Sequence, residues 1–455
     1  MDIGKHQRKP LGIQVLLFPL PFQGHMNPML HLGNALYSKG FSITIIQTRF
    51  NSPDTTEFPN FAFHFIDDGL QMSSAALFDA LSAVKASCSE KFRHCLSQIL
   101  NGDCENKEPI ACLITDPSWE FAGTVADSFN LPRIALKTGS ILSYIVYEAL
   151  PLLREKGYFP IPENKLEEPV LELPPLKFKD LPAESHHDLM INMVRESKTY
   201  SQGIICNAFY ALEPSILDRT RQDHYPIPLF LVGPLHKYSS TSATTSLSQD
   251  KSCISWLDTQ APKSVLCVSF GSAAAIGEAE FLEVAWALAN SMHPFLWVIR
   301  PGSIKNLKND DPFPDNFVKI VGNRGHIVKW APQLEVLAHP AVGGFWTHCG
   351  WNSTIESICE GIPMICQPFF LDQRMNARHI SDVWKIGLLL EKGLHRDEIK
   401  KTIRRLMAGK EGIEMRERAR ALMEAANLSL MEGASSYTAL NTLTSHILSS
   451  TAPRG

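Results

Sequence analysis

The block from residue 330 to residue 373 carries the side chains with the clearest chemistry in the chain. A predicted strand, 343–347, runs into the turn His348-Cys349-Gly350, and residues 352–354 then open a predicted helix. A glycine turn lets the backbone approach a ligand closely, and the first turn of a helix offers free N–H groups with a partial positive charge. This arrangement predicts a phosphate-binding site that requires no metal ion.

Side chains around this turn could hold the rest of a nucleotide. His348, Asn352 and Ser353 add hydrogen-bond donors for phosphate. Glu356 lies one helical turn deeper and could accept hydrogen bonds from the vicinal hydroxyls of a ribose. Upstream, Trp330 offers a face on which a nucleobase could stack, a contact worth about 1–3 kcal/mol in other base–aromatic pairs.

Asp372 and Gln373 follow the next predicted strand, 364–366, and their polar groups could hold sugar hydroxyls. The chain has no Asp-x-Asp pair, the motif with which many enzymes hold a sugar nucleotide through a divalent metal. It also lacks G-x-G-x-x-G after a strand, G-x-x-x-x-G-K-[ST] and G-x-S-x-G, so dinucleotide binding, the commonest NTPase class and an α/β-hydrolase have no support. The alternative interpretation of 343–354 is an ordinary structural turn, because strand–glycine–helix turns are common.

A second candidate group lies near the N-terminus. His25 is expected on the turn between a first strand, 12–19, and a helix that starts at Asn27-Pro28, and Gly24 beside it allows a ligand to approach. Asp116 ends another predicted strand, 112–116. Because parallel strands end at one edge of their sheet, we expect both side chains there, as a general base and its carboxylate partner. An unperturbed histidine pKa near ~6.5 suits a base at neutral pH.

Two series of strands and helices must position these residues. Strand 12–19, a helix ending at Gly40 and strand 41–48 form a βαβ unit, which indicates a parallel sheet, and strands 110–115 and 133–136 extend it. A second series follows the Ser/Thr-rich stretch 238–252. Its predicted strands are 265–270, 295–299, 343–347 and 364–366, and its predicted helices are 278–291, 351–360, 373–384 and the last ~60 residues.

The expected fold is therefore α/β, with two doubly wound parallel-sheet domains and a cleft between them. The predicted N-terminal domain is 1–237, the linker 238–252 and the C-terminal domain 253–433, and a final helical segment covers 434–455. A flexible linker should be rich in small polar residues and lack an apolar period, as 238–252 is.

Composition excludes several protein classes. The chain has 455 residues, 44% of them hydrophobic, and a formal net charge of −4, which is typical of a globular protein and not of a disordered chain, a collagen or a protein held on nucleic acid by bulk charge. Its ten cysteines include no CxxC pair, which favours reduced thiols. We interpret the apolar run after Lys5, Arg8 and Lys9 as a first buried strand, and no run reaches the ~20 residues of a membrane span. The cytoplasm is the expected compartment.

The block 330–373 closely resembles the signature of the plant secondary-product UDP-glycosyltransferases, a family with the two-domain GT-B fold. The landmarks are Trp330-Ala331-Pro332-Gln333, His348 to Ser353, Glu356 and Asp372-Gln373. The resemblance extends over essentially the whole chain and includes 21–28. Within the family, the chain is most similar to the branch that includes cytokinin, steviol-glycoside and small-acid glucosyltransferases.

The resemblance implies how a UDP-sugar would be held. Trp330 would stack on uracil, Glu356 would hold the ribose hydroxyls, and Gln373 at the end of the block favours glucose as the donor sugar. The implied UDP-sugar-binding residues are Ser272, Trp330, Ala331, Gln333, His348, Gly350, Trp351, Asn352, Ser353, Glu356, Asp372, Gln373 and Thr138. UDP-glucose would be a substrate, with no metal and no further cofactor, and the final helices would pack back onto the N-terminal half.

The resemblance also implies an inverting mechanism in which His25 takes the acceptor proton, Asp116 orients its imidazole and a β-glucoside forms. Acceptor-binding residues would be Gly24, Phe78, Tyr144, Tyr147, Met190, Phe369 and Phe370. An amphipathic, mostly apolar acceptor is expected, and phenolics, hydroxylated small acids, terpenoids and cytokinins all stay open. The bonded atom, a hydroxyl, carboxylate or nitrogen, also stays open. Beyond the donor and the acceptor, we expect no nucleic-acid or membrane partner and a monomer.

Two other functions fit the same nucleotide site. A GT-B-like sugar-nucleotide epimerase would act on the UDP-sugar without an acceptor, and a non-catalytic protein would only bind it. The presence of both His25 and Asp116 favours the transferase over these two alternatives.

Overall fold

The structure is a computed structural model that describes residues 10–69, 77–102, 108–214, 227–239, 249–305, 312–314 and 316–450. The chain divides into two compact units. Unit 1 comprises Met1–Tyr158, Glu184–Ser246 and Leu428–Gly455, and unit 2 comprises Phe159–Ala183 and Leu247–Asn427.

Strands and helices alternate along most of the described chain. The strands are β1 (Gln14–Phe18), β2 (Ser42–Thr48), β3 (Phe61–Ile66), β4 (Ile110–Thr115), β5 (Arg133–Lys137), β6 (Ile204–Cys206), β7 (Leu229–Leu231), β8 (Val265–Ser269), β9 (Ile276–Gly277), β10 (Phe295–Val298), β11 (Ile304–Lys305), β12 (Gly325–Val328), β13 (Val342–Thr347), β14 (Met364–Cys366) and β15 (Gly387–Leu389). The helices are α1 (Gln23–Ser38), α2 (Leu77–Asn101), α3 (Ala122–Ser128), α4 (Ile141–Glu155), α5 (His187–Tyr200), α6 (Ser252–Leu257), α7 (Glu278–Ser291), α8 (Phe317–Val321), α9 (Gln333–Ala338), α10 (Trp351–Cys359), α11 (Gln373–Arg378), α12 (Arg396–Met407), α13 (Lys410–Ser429) and α14 (Ser435–Ser449).

Each unit is built on a parallel sheet, which confirms the predicted α/β class. In unit 1 the described strands run in the order β3-β2-β1-β4-β5-β6-β7, and in unit 2 they run β12-β10-β8-β13-β14-β15. The order reverses direction between β1 and β4 in unit 1 and between β8 and β13 in unit 2. Ligands of such sheets bind at the carboxyl ends of the strands on either side of the reversal.

Helix α1 begins at Gln23, so the prediction that it starts at Asn27-Pro28 is wrong. Phe22 is the cap, because its backbone is extended and its carbonyl accepts from the N–H groups of His25 and Met26. Pro28 therefore lies inside the helix, where its missing N–H removes one helical hydrogen bond. His25 consequently lies on the first helical turn and not on the preceding loop.

The predicted helix 373–384 is also more complex than expected. An α-helical segment, α11, ends at Arg378, and the wider π-helical turn His379–Val383 continues it. The last ~60 residues, predicted as helical throughout, form α12, α13 and α14 with breaks near Gly409 and Gly433, while 451–455 lie outside the described residues.

The segment 159–183 packs with unit 2, although the expected N-terminal domain ran unbroken to 237. The buried guanidinium of Arg378 explains this, because it donates to both carboxylate oxygens of Asp180 at 2.9 and 3.2 Å. Lys179 adds an ion pair with Glu391 at 3.2 Å. Most of the predicted linker, 240–248, lies outside the described residues, so the linker bounds stay a prediction.

Helix α14 completes the core of unit 1. Its residues Leu440, Leu443 and Ile447 are buried in the same apolar cluster as β1, β4 and α1. Asn441 Oδ1 also accepts from Lys39 Nζ on α1 at 2.7 Å. No helix among the described residues has the length and apolar character needed to cross a membrane.

Truncating Leu443 should therefore destabilise unit 1 selectively. We expect Leu443→Ala to lower the free energy of unfolding of this unit by about 2–5 kcal/mol, because it leaves a cavity in a packed core. Hydrogen exchange followed by mass spectrometry should be faster in β1 and β4 and unchanged in β8 and β13. Thr442→Ala, at an exposed neighbour, is the control and should change stability by less than about 0.5 kcal/mol. Equal acceleration in both sheets would contradict this assignment.

Candidate functional site

The candidate base and its partner are in direct contact. His25 Nδ1 lies 2.6 Å from Asp116 Oδ2, and the two side chains are 32% and 1% exposed. The pairing of β1 with β4 produces this contact, because it places Phe18 opposite Thr115 and the two following segments at one sheet edge. Thr138 follows β5 at the same edge, and its Oγ1 lies 3.1 Å from His25 Nδ1.

Asp116 is held in its charged form despite its burial. Burial raises the pKa of this carboxyl, but the His25 ring and hydrogen bonds from Ser118 outweigh that effect and bring the pKa below its ordinary value. The Ser118 N–H donates to Asp116 Oδ1 at 2.9 Å while His25 occupies Oδ2. A carboxylate satisfied in this way fixes the imidazole so that Nδ1 carries the shared proton and Nε2 is directed elsewhere.

In unit 2, two glycine turns surround His348. Strands β8 and β13 pair in parallel with Ser269 opposite Thr347, so the turns that follow them are neighbours. A Cβ on Gly271 would lie 2.5 Å from His348 Nε2, and one on Gly350 would also overlap this atom. Gly271 has φ +74°, which a residue with a side chain rarely adopts. Only glycine at these positions leaves the His348 ring in its place beside the start of α10.

His348 is neutral at physiological pH, because burial lowers its pKa to about 4. It therefore acts as a polar hydrogen-bonding ring and not as a cation. Gly350 caps α10 with an extended backbone, so the free N–H groups of the helix start lie next to this ring. Ser272 lies on the exposed turn after β8. An anion bound here would be held mainly by neutral donors and the partial positive charge of the helix.

Thr347 and Asn376, which the sequence analysis did not identify as site residues, hold the turn His348-Cys349-Gly350. Cys349 adopts φ +65°, an uncommon conformation for a residue with a side chain. Thr347 Oγ1 accepts from the Cys349 N–H at 3.2 Å, and Asn376 Nδ2 on α11 donates to the Cys349 carbonyl at 3.0 Å. The sequence did contain a signal for Asn376: it follows Asp372 by four residues, about one helical turn, so both side chains were expected on one face of a helix.

Gln333, Ser353 and Glu356 form one hydrogen-bonded group. Gln333 Nε2 donates to Glu356 Oε2 at 2.7 Å and to Ser353 Oγ at 3.1 Å. Burial raises the pKa of Glu356 to about 7, against the opposing effect of Gln333. The ionisation of Glu356 is therefore balanced near neutrality, and a ligand that donates hydrogen bonds to it would favour the charged form.

Asp372 and Gln373 lie at the start of α11. Gln373 is buried, and its Oε1 accepts from the N–H groups of Phe369 and Phe370 at 2.9 and 3.2 Å. Its Nε2 takes no part in these two hydrogen bonds. Asp372 Oδ2 accepts from Asn376 Nδ2 at 3.3 Å, which connects this pair with the Cys349 turn.

Two predicted UDP-sugar-binding side chains are placed differently from the rest. The Trp351 indole is buried, with its ring 6.4 Å from that of Trp384. Thr138 contacts His25 in unit 1 and is not among the unit 2 residues. Trp330 is half-buried and Ala331 is buried immediately before α9, and Asn352 is half-buried on the first turn of α10.

The predicted acceptor residues fall into both units. Gly24 lies on the first turn of α1, where an added Cβ would meet no atom within 4 Å. Tyr144, Tyr147 and Met190 are buried on α4 and α5, and Lys137 lies over the Tyr147 ring at 5.4 Å. Phe369 packs edge-on against Phe270, and Phe370 is half-buried. The side chain of Phe78 lies outside the described residues.

No cluster of three or more His, Cys, Asp or Glu side chains with metal-binding geometry occurs in the described part of the chain.

The fold and the two groups of side chains fit one class of protein, an α/β transferase that uses a nucleotide sugar. The profile of the family described as "UDP-glucoronosyl and UDP-glucosyl transferase" matches residues 38–416. The chain therefore belongs to this family and is a UDP-glycosyltransferase with the GT-B fold.

Curated relatives match over almost their full length. UDP-glycosyltransferase 76B1 of Arabidopsis thaliana is 46% identical, with 96% of this chain and 98% of that protein covered. UDP-glycosyltransferase 76G1 of Stevia rebaudiana is 44% identical, with 96% and 97% covered. UGT2 of Phytolacca americana, solved with UDP-2-fluoro-glucose and pterostilbene, is similar at a TM-score of 0.79 and 28% identity, covering 97% of this chain and 100% of that one. The resemblance to plant UDP-glycosyltransferases is thus confirmed.

The packing around His348 predicts a selective effect of an added methyl group. We expect Gly271→Ala to weaken UDP-glucose binding at least about tenfold, or ~1.4 kcal/mol, because the new Cβ displaces the imidazole. Gly302→Ala is a matched control, since Gly302 has φ +77° but its Cβ would come no closer than 3.7 Å to another side chain. Both variants carry the strain of a side chain at positive φ, and only Gly271→Ala displaces His348. The difference between their affinities in calorimetric titration therefore measures the effect of displacing the imidazole. Equal affinities for the two variants would contradict the role of this turn.

Proposed function

We propose that this UDP-glycosyltransferase transfers glucose from UDP-glucose to a small, mostly apolar acceptor with inversion at the anomeric carbon. The observation that carries the proposal is the contact between His25 Nδ1 and the buried Asp116 carboxylate. With Nδ1 engaged, Nε2 is the atom that can accept a proton from the acceptor. The acceptor oxygen, or another nucleophilic atom, then attacks the anomeric carbon, and UDP is the leaving group.

Asp116 supports this step in two ways. It fixes the orientation of the imidazole, and its negative charge stabilises the imidazolium that forms when His25 takes the proton. Thr138, 3.1 Å from His25 Nδ1, offers a further polar contact at the same edge of the sheet. The ring needs no covalent bond to the sugar in this mechanism, so a single displacement is sufficient.

The nucleotide is assigned to unit 2. The pyrophosphate would lie at the start of α10, with His348, Asn352, Ser353 and the turn at Ser272 as donors. Glu356 would hold the ribose hydroxyls, and Trp330 would stack on uracil with Gln333 beside it. The neutral state of His348 fits this assignment, because a neutral donor holds the diphosphate without adding a charge that must be desolvated.

Glucose is the proposed donor sugar because Gln373 is fixed by two backbone donors and presents its amide Nε2. Asp372 beside it would accept from sugar hydroxyls. The Phytolacca americana protein, solved with UDP-2-fluoro-glucose, supports the same sugar for this chain.

The acceptor class stays broad: phenolics, hydroxy acids, terpenoids or cytokinins. The pterostilbene bound to the Phytolacca americana protein supports a small aromatic acceptor. A screen with UDP-glucose and one acceptor of each class, with products located by NMR, would identify the acceptor and the bonded atom. Omitting the acceptor tests the epimerase alternative. A monomeric state and a cytoplasmic location stay predictions.

Removing the base should abolish transfer and spare donor binding. We expect His25→Ala to lower kcat by about 10²–10⁴-fold with the dissociation constant of UDP-glucose unchanged within about twofold. Asp116→Asn should also reduce kcat, because it removes the charge that stabilises the imidazolium. His94→Ala, on the exposed face of α2, is the control and should retain full turnover. Unchanged turnover in His25→Ala would remove His25 from this role.

The ionisation of Glu356 should make donor binding depend on pH. Its carboxylate form accepts from the ribose hydroxyls, and its pKa is raised to about 7, so protonation on lowering the pH weakens binding. We expect the affinity for UDP-glucose to fall up to about tenfold between pH ~8 and pH ~6. Glu356→Gln should give weaker binding with little pH dependence, whereas Glu360→Gln, at the end of the same helix, should keep the wild-type profile. A flat wild-type profile would disprove the Glu356 contact.

A further inference from the structure

A buried arginine adjoins strand β4, which Asp116 directly follows. Arg133, the first residue of β5, is 2% exposed. Its Nε donates to Thr115 Oγ1 at 2.7 Å, and its two Nη atoms donate to Ser201 Oγ at 3.1 Å and to Glu196 Oε2 at 2.7 Å. Thr115 directly precedes Asp116, so the guanidinium holds the side chain next to the carboxylate in the sequence.

Glu196 connects this arginine to helix α5. Its side chain is 5% exposed, and its Oε1 accepts from the N–H of Gly123, on the first turn of α3, at 3.2 Å. A side chain at this position would overlap helix α5, because a Cβ on Gly123 would lie 2.5 Å from Tyr200 Cβ and 2.8 Å from Glu196 Oε1. Met193 lies three residues before Glu196 on α5, and its sulfur is 3.7 Å from the Ser118 hydroxyl. Helix α5 therefore contacts the segment that follows Asp116 at two points, Ser118 and Gly123.

Five charged or titratable groups from five elements interact here: His25 on α1, Asp116 after β4, Asp127 on α3, Arg133 on β5 and Glu196 on α5. Burial raises the pKa of Glu196 to about 7; Arg133 opposes this shift and the negative charge of Asp116 adds to it. Burial also lowers the pKa of Arg133, which Glu196, Asp116 and Asp127 oppose. Because such interactions are mutual, the charges of Arg133 and Glu196 act on Asp116 in return.

We propose that Arg133 and Glu196 are positioning residues for the transfer reaction, which fix the Asp116 carboxylate and set, through their charges, how readily His25 holds a proton. The proposal rests on the proposed role of His25 as the base. A buried ion pair is a poor device for stability alone, because well-packed apolar residues often serve as well or better. The Arg133–Glu196 pair lies beside Asp116, the carboxylate that contacts His25, and a role in positioning that carboxylate accounts for its presence there.

The two charges should act in opposite directions. A negative charge near an imidazolium stabilises it and a positive charge destabilises it. Glu196, with its pKa raised to about 7, carries only part of its negative charge on the acid side of neutrality. Glu196→Gln removes that part, so the acid limb of the pH profile of kcat/KM should move to lower pH by less than ~0.5 unit, under a ~3-fold change in the proton equilibrium. Arg133→Met removes a full positive charge and also lets Glu196 take up a proton more readily, so the limb should move to higher pH by at most ~0.5 unit.

The experiment measures the pH dependence of kcat/KM and, in the same variants, the NMR signals of histidine labelled with ¹³C at Cε1. The His25 signal is identified by its absence in His25→Ala. The ring signal should change with pH at a lower value in Glu196→Gln and at a higher value in Arg133→Met. The KM for UDP-glucose should stay within about twofold of wild type, because the donor site lies in unit 2.

Glu213→Gln is the matched control. Glu213 is a buried carboxyl of the same unit with its pKa also raised to about 7 by burial, and it accepts from the N–H groups of Ile141 and Leu142. It should alter thermal stability without moving the His25 signal. Arg133→Lys keeps the positive charge and loses the set of three guanidinium hydrogen bonds, so it should keep the wild-type acid limb with a reduced kcat. This variant also provides a test if Arg133→Met does not fold.

The outcomes separate this proposal from the base assignment. Full turnover in His25→Ala would overturn the assignment of His25 as the base. The NMR signal of the His25 ring in the other variants would still decide whether Arg133 and Glu196 control protonation of His25. The positioning role would be overturned if the ring signals and acid limbs of both charge-removing variants coincided with wild type, as expected for Glu213→Gln. It would also be overturned if both variants moved them in the same direction.

Discussion

The hydrogen bond between His25 and Asp116 depends on burying a carboxylate in the interior of unit 1, and much of the surrounding structure makes that burial possible. An isolated buried carboxylate is strongly unfavourable and would take up a proton. Here the His25 ring and the Ser118 N–H occupy both oxygens, and the pKa of Asp116 is below its ordinary value. The parallel pairing of β1 with β4 is what brings the donor and the carboxylate together.

Unit 2 handles charge in a different way. Its predicted phosphate site has no cation among the residues at the centre of the turn, and His348 is kept neutral by burial. Two glycines provide the space for this ring, and Thr347 and Asn376 hold the intervening Cys349 turn. Binding of a diphosphate would therefore depend on the shape of the backbone more than on net charge, which fits the near-neutral composition of the chain.

The two units share one architectural principle. In each sheet the candidate residues follow the strands at which the strand order reverses, β1 and β4 in one case and β8 and β13 in the other. These are the positions at which helices on opposite faces leave the strand ends uncovered. Family membership and the curated relatives show that this α/β framework is that of a UDP-glycosyltransferase. The placement of its two substrates stays a prediction.

Much of the fold could be predicted from the sequence. Strands β4 and β14 and helix α7 lie at their predicted bounds, because each is a continuous apolar run or a clear helical period between breaking residues. The edge strands β3 and β12 were not predicted, since residues at a sheet edge are partly exposed and lose the uniform apolar pattern. The start of α1 was placed four residues late, because Asn27-Pro28 imitates a helix cap.

The sequence alone determined the class of fold, the family and the candidate residues of the block 330–373, because these depend on local patterns and on motif spacing. Only the tertiary structure decided which distant residues meet. It brought Arg133, paired with Glu196, to Thr115 at the end of β4, and it placed Thr138 against His25. It also buried the Trp351 indole in the interior of unit 2. Contacts between residues far apart in the chain depend on strand order and helix packing, which no local pattern of side chains specifies.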